Sequence, residues 1–329
     1  MQSIFEWGTR IVLAVQGMGS WALVPMKLFS FLGTEEFFLV LITLLYWCVS
    51  APLGIRLTFA LLAADTTSGL LKLAFHTPRP FWTDTRVEVR AIETSYGMPS
   101  GHALIASTVW PYVAYRLRRP WAWVAAIALV LLISLSRMYL GVHFPQDVIT
   151  GWLFGGLLLA LYIWAERTMT PRLAKASLAR QILVAVAASA LVLLLAALVF
   201  MAITKVVDPP AWMDVLRRVV LPDELALPRD PSGLISDAGL VLGMGVGLAL
   251  TQRSARFDAG GALWKRALRY LIGLIGVLLF WRGLTLVFPG GMDGLGMMLR
   301  YVRYALTGLW AAYLAPLVFL KLKLAERAS

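Results

Sequence analysis

Long apolar runs separated by short polar breaks dominate the chain. Measured against the roughly 20 residues a helix needs to cross a bilayer, they predict nine spans. These cover residues of about 21–50 (or a later start near Phe37), 57–75, 101–117, 121–136, 147–165, 181–204, 234–251, 267–288 and 304–320. Several are short, and tilt or interfacial placement of their polar ends accommodates them. The predicted fold class is all-α, a polytopic transmembrane helical bundle; a membrane barrel would alternate apolar and polar positions instead. Residues 1–20 carry Glu6 and Arg10 and lack a small-residue cleavage site, so they read as an interfacial amphipathic helix and not as a signal peptide. Four regions follow: this helix, a membrane core over 21–204, an external loop over 205–233 rich in Pro and mixed charge, and a three-helix extension over 234–329. The loop is expected to hold a short amphipathic helix, serving as a cover or as a plain connector.

Composition supports a membrane protein: 60% of the 329 residues are hydrophobic and 15% charged, against roughly 25% charged in soluble domains. A formal net charge of +12 raises nucleic acid as a partner, but no basic segment combines a soluble face with interleaved exposed aromatics. The basic residues concentrate instead in alternate connections, among them Arg116, Arg118 and Arg119, then Arg167, Arg172, Lys175 and Arg180, then Arg253 to Arg269. These connections are therefore the cytoplasmic ones. The others, where acids such as Asp84, Glu88, Glu93, Asp208 and Asp214 accompany the bases, face the periplasm, the exterior or a lumen; a bacterial cytoplasmic membrane is the expected location. The single cysteine, Cys48, cannot form an intrachain disulfide.

All three histidines, His76, His102 and His143, fall in the non-cytoplasmic connections or at their edges, and two of them sit in motifs. In KLAFHTPRP, residues 72–80, Lys72 and Arg79 are two helical turns apart, and Pro78 and Pro80 end the helix. A point charge and a planar fork so placed suit a phosphate; snorkelling of both side chains accounts for them equally well. In YGMPSGHA, residues 96–103, Pro99 and Ser100 mark a helix start and Gly101 lets the backbone approach a ligand, so free amides there form an anion site that His102 faces. Capping alone explains Ser100 but not a histidine entering a span. In SRMYLGVHFPQD, residues 136–147, Arg137 ends one span, His143 follows in a short loop, and Asp147 lies four residues on. That carboxylate can fix the imidazole tautomer and leave the other nitrogen free to attack. His76 reads as a solvent-facing loop residue.

Lys72 to Pro80, Pro99 to His102 and Ser136 to Asp147 fill every position of the pattern K-x6-R-P, P-S-G-H and S-R-x5-H-x3-D. The chain thereby resembles the type 2 phosphatidic acid phosphatase (PAP2) superfamily over about residues 57–165. The resemblance implies that His143 is the nucleophile, Asp147 its orienting partner, and His102 the proton donor to the leaving oxygen. It also implies that Lys72, Arg79, Ser100, Gly101 and Arg137 hold the phosphoryl oxygens, with no metal and no other cofactor. The span count is similar to that of glucose-6-phosphatase-type members, whereas Asp147 departs from glucose-6-phosphatase proper.

Three functions compete on these residues. The first is a phosphatase for a lipid phosphate or lipid pyrophosphate, with the bilayer as its setting. The second is a phosphatase for a soluble sugar phosphate. The third is a non-catalytic transporter or lipid-binding protein on the same fold.

Overall fold

The computed structural model describes residues 2–219, 228–288 and 291–328. Its regular elements there are helical: α1 Gln2–Gln16, α2 Leu23–Phe31, α3 Glu35–Cys48, α4 Ala51–Phe75, α5 Pro80–Thr83, α6 Gly101–Leu117 and α7 Pro120–Tyr139. After them come α8 Pro145–Ala174, α9 Leu178–Ile203, α10 Pro210–Val219, α11 Ser232–Ser254, α12 Leu263–Trp281, α13 Gly294–Leu309 and α14 Ala315–Lys321. Of the 205–233 loop, residues 220–227 lie outside the described residues.

The span count corrects the sequence expectation. Among the described residues seven helices are long and apolar enough to cross a bilayer, not nine; counting the pair Ser3–Gln16 and Ser20–Phe31, bent by 88°, as one broken span gives eight. By length and composition, the described residues do not confirm the nine-span plan shared with glucose-6-phosphatase-type members. Two of the expected spans fail for local reasons. The stretch 21–50 is broken after Phe31, where Gly33 and Thr34 interrupt it and Glu35 and Glu36 open a new helix of 14 residues. The helix over 101–117 has 17 residues and runs at the lower limit for a crossing.

Contacts divide the chain into two compact units. The first comprises Met1–Phe38, Ala63–Ile163 and Leu198–Asp230. In it α6 and α8 approach closely through small residues: Ser107 Oγ donates to Gly151 O at 3.4 Å and Thr108 Oγ1 to Gly155 O at 3.1 Å. The N-terminal helix is tied to the third motif, since Gln16 Nε2 donates to Tyr139 O at 3.2 Å and to Glu88 O at 2.8 Å. Helix α10 stacks Trp212 on Trp82, with ring centroids 5.9 Å apart. Arg229 and Asp208 are joined at 3.0 Å, and both meet the hydroxyl of Tyr96.

The second unit comprises Leu39–Leu62, Trp164–Ala197 and Pro231–Ser329. Gly239, Gly243 and Gly247 on α11 face the α13 side, where an added Cβ would strike the Tyr301, Ala305 and Ala312 region. Between α13 and α14 the ladder widens to a π turn over Trp310–Leu314. Widening frees carbonyls from the regular ladder, and buried side chains take them up. Tyr46 Oη donates to Ala312 O at 3.0 Å, Trp47 Nε1 to Ala311 O at 3.1 Å and Thr251 Oγ1 to Ala312 O at 2.6 Å. Trp47 is fully buried and its ring lies 5.9 Å from that of Phe319. Replacing it, Trp47→Ala, is expected to cost about 3–5 kcal/mol, read as a lowered Tm of the full-length protein in detergent.

Candidate functional site

The first motif ends a helix and turns back on it. Lys72 lies in the last turn of α4, and Arg79 stands as N-cap of α5, whose Pro80 needs no amide partner there. Arg79 is fully buried. Its Nε donates to Ser95 O at 2.6 Å, Nη1 to Val142 O at 2.9 Å, and Nη2 to Ser95 Oγ at 3.0 Å and Tyr96 O at 3.2 Å. The remaining N–H faces His143 Nε2 at 3.3 Å. Lys72 Nζ donates to the same Ser95 Oγ at 3.1 Å.

The second motif begins α6. Ser100 accepts from the Ala103 amide at 3.5 Å as N-cap, and its own amide donates to Asp147 O at 2.9 Å, which stitches the second motif to the third. A Cβ on Gly101 would lie 3.0 Å from Ser68 Oγ and 3.7 Å from Lys72 Nζ, so the helix start comes close to the ammonium. The ring of His102 packs on Gly33, where any side chain would begin 2.7 Å from Cδ2. His102 Nε2 is buried with no hydrogen-bond partner among the described residues.

The third motif supplies the rest. Arg137 closes α7 and donates through Nη1 to Ser30 Oγ at 2.6 Å and through Nη2 to Glu93. His143 is buried in the turn before α8, with Nδ1 3.4 Å from Asp147 Oδ2; that oxygen also accepts from the Phe144 amide at 2.9 Å. With Nδ1 turned to the carboxylate, Nε2 is the nitrogen that faces Arg79.

The structure thus brings together Lys72, Arg79, Gly101, Arg137, His143 and Asp147, with Ser100 at the seam and His102 within electrostatic reach of His143. His76 stands apart, exposed, its ring 6.3 Å from that of Tyr96. Four residues escaped the sequence reading: Ser30, Glu93, Ser95 and Tyr96. Ser30, Ser95 and Tyr96 have no sequence signal, because they act through position alone. Glu93 had a weak one, as one of three acids, with Asp84 and Glu88, in the connection between the first two motifs. Its carboxylate joins Arg137 and lies 3.7 Å from Arg79 Nη2. Burial pushes the Glu93 carboxyl upward, but the charges of Arg137, Arg79 and Lys72 outweigh that and hold it well below the usual carboxylate range. At His143 burial, followed by the charges of Arg79, Arg137, Lys72 and His102, keeps the imidazole neutral to well below pH 6.5. Three cations form a donor set for an anion, and the lone pair of a neutral imidazole lies beside them.

Known proteins are similar to this chain in sequence. The chain is 37% identical over 118 residues to undecaprenyl-diphosphatase of Sulfolobus acidocaldarius, covering 35% of this chain and 56% of that one. It is 37% identical over 78 residues to phosphatidylglycerophosphatase B of Bacillus subtilis, 21% of this chain and 38% of that one. With glucose-6-phosphatase 3 of Mus musculus it shares 32% over 133 residues, 33% and 38% of the two chains. It therefore spans about half or less of the length of these relatives. The crystal structure of a transmembrane PAP2-type phosphatidylglycerolphosphate phosphatase from Bacillus subtilis aligns with a TM-score of 0.46 at 24% identity, covering 51% of this chain and 89% of that one. The family model described as PAP2 superfamily matches residues 53–171, and the one described as PAP2 superfamily phosphatase, transmembrane extension, matches residues 235–327. Two models of one superfamily together take in the greater part of the chain, and the protein belongs to the PAP2 superfamily of membrane phosphatases.

Proposed function

We propose that the chain hydrolyses a lipid phosphate or lipid pyrophosphate through a phosphohistidine at His143, without a metal. The observation that carries this reading is the pose of His143, with one ring nitrogen on Asp147 and the other beside the guanidinium of Arg79. A phosphoryl group seated on Lys72, Arg79, Arg137 and the amides of Ser100 and Gly101 presents its phosphorus to Nε2. The nitrogen attacks in line, the P–N bond forms as the P–O bond to the leaving group breaks, and Asp147 holds the resulting ring charge. A proton-bearing His102 gives its proton to the leaving oxygen. The same ring then takes a proton from water, whose oxygen attacks phosphorus, breaks the P–N bond and restores His143. Once Nε2 is bonded to phosphorus it no longer accepts from Arg79 Nη1, and a phosphoryl oxygen takes over that N–H. The cations supply the charge neutralisation that a divalent ion provides in other phosphoryl transfers.

A lipid substrate is supported by the relatives that act on undecaprenyl diphosphate and phosphatidylglycerophosphate by their names, and by the apolar helices around the site. The basic connections support a site on the non-cytoplasmic side; hydrolysis of an impermeant substrate only after permeabilisation of intact cells would refute that reading. Release of phosphate from undecaprenyl diphosphate or phosphatidate in EDTA is expected, with at least about a thousandfold loss in His143→Ala. Activity that survives this substitution would remove the mechanism. Turnover of glucose 6-phosphate in preference to both lipids would transfer the assignment to the sugar-phosphate reading.

The pH dependence follows from the lowered His143. The attacking form is the neutral ring, which a depressed proton affinity preserves as pH falls, so the acid limb of kcat/KM assigned to His143 is expected below pH 6.5. A midpoint above that value in a pH-rate profile would contradict the reading.

Glu93 sits on the two guanidiniums that the phosphoryl group would use. Glu93→Gln should lower the Tm, because it weakens a buried charge pair worth about 1–3 kcal/mol. Inorganic phosphate should then raise the Tm of the variant more than that of the wild type, since the two anions compete for one seat. Equal stabilisation of the two proteins would show that they do not compete.

A further inference from the structure

The second unit holds another cationic pocket, which the phosphatase chemistry does not use. Where α12 ends and α13 begins, Trp281, Arg282, Phe288, Arg300, Arg303 and Tyr304 line a cavity of about 350 Å³. No Asp or Glu is among the residues lining it. Asp293, the acid closest to it in sequence, is turned onto the Gly296 amide at 2.9 Å as the N-cap of α13. The three arginines are held in place by aromatic faces and by little else. Arg282 lies 4.4 Å over the ring of Trp281, Arg303 lies 5.2 Å over that of Tyr304, and Trp281 Nε1 donates to Tyr304 Oη at 3.1 Å. Arg300 Nη1 donates to Ser236 Oγ at 3.4 Å. Arg303 Nε is buried with no hydrogen-bond partner among the described residues.

Like charges gathered around one cavity repel, and guanidiniums partly withdrawn from water at a membrane helix end, as those of Arg300 and Arg303 are beside the exposed Arg282, are costly without a counter-ion. Among the residues lining the cavity none supplies one, while stacking fixes two of the forks against the aromatic rings. The neighbouring surface is strongly apolar: Leu286 is 89% exposed, Val287 75% and Leu279 62%. An anion flanked by apolar surface describes the two ends of an amphiphile.

We propose that this cavity is a second anion site that takes the phosphate of an anionic lipid, with the headgroup among Arg282, Arg300 and Arg303 and the chains along the adjoining apolar residues. The shared chemistry, a phosphate anion held by three unpaired arginines, also admits free phosphate, and the test separates the two. Purified full-length protein in neutral detergent is titrated with dioctanoyl phosphatidylglycerol, dioctanoyl phosphatidylcholine or inorganic phosphate. Phosphatidylglycerol is a phosphodiester and offers no monoester to the His143 site. It is expected to raise the Tm saturably and to be retained in native mass spectrometry, whereas phosphatidylcholine, with its phosphate neutralised by choline, is not. R300Q/R303Q should weaken the apparent Kd for phosphatidylglycerol by roughly tenfold or more. A stabilisation by inorganic phosphate that R300Q/R303Q removes would assign the site to the free anion; phosphate stabilisation that persists in R300Q/R303Q belongs to the His143 pocket. Should R300Q/R303Q fail to elute as a monodisperse protein, Arg282→Gln in the connection takes its place with the same expected weakening. Equal stabilisation of wild type and variant by phosphatidylglycerol, or none in the wild type, overturns the site.

Discussion

A guanidinium taken wholly out of water must find acceptors for all of its N–H groups inside the protein, and Arg79 does so. Its five donors meet the carbonyls of Ser95, Val142 and Tyr96, the hydroxyl of Ser95 and the ring of His143. These acceptors come from the connection between the first two motifs and from the turn of the third. A single side chain therefore fixes the relative placement of segments that are far apart in sequence. Without these acceptors the buried charge would be too costly to keep, so the backbone around the pocket is as constrained as the catalytic side chains themselves.

Charge balance is the second consequence. Lys72, Arg79 and Arg137 crowd one small volume, and the protein offsets them with Glu93 on one side and Asp147 behind His143. Glu93 neutralises part of the guanidinium charge. Asp147 is engaged by the Phe144 amide and by His143, which fixes the direction of the imidazole. A site arranged this way is pre-formed for an anion and stays folded before one arrives.

The two cationic pockets illustrate different solutions to one problem. In the first unit Arg79 and Arg137 have a carboxylate, hydroxyls and carbonyls to bind, although Arg137 Nε and His102 Nε2 are buried with no hydrogen-bond partner among the described residues. In the second they have aromatic faces and one serine hydroxyl, so the pocket is left with unspent donors. Ionisable groups so placed in a membrane protein mark candidate sites for an outside ligand, which is the reading proposed for the second pocket.

The sequence by itself determined the helical class, most of the spans and the three motifs, because bilayer thickness imposes a length on apolar runs and because Lys72, Arg79, His102, Arg137, His143 and Asp147 are rare polar residues among them. It did not determine the break at Gly33 and Thr34, where the close packing of His102 on Gly33 matters more than hydropathy. Nor did it reveal Ser30, Glu93, Ser95 and Tyr96, whose roles come from backbone carbonyls and from positions that no spacing encodes. Only the tertiary structure decided which nitrogen of His143 faces the cations and which carboxylate balances them. Side-chain partnership across long sequence separations is set by packing, and local pattern carries no record of it.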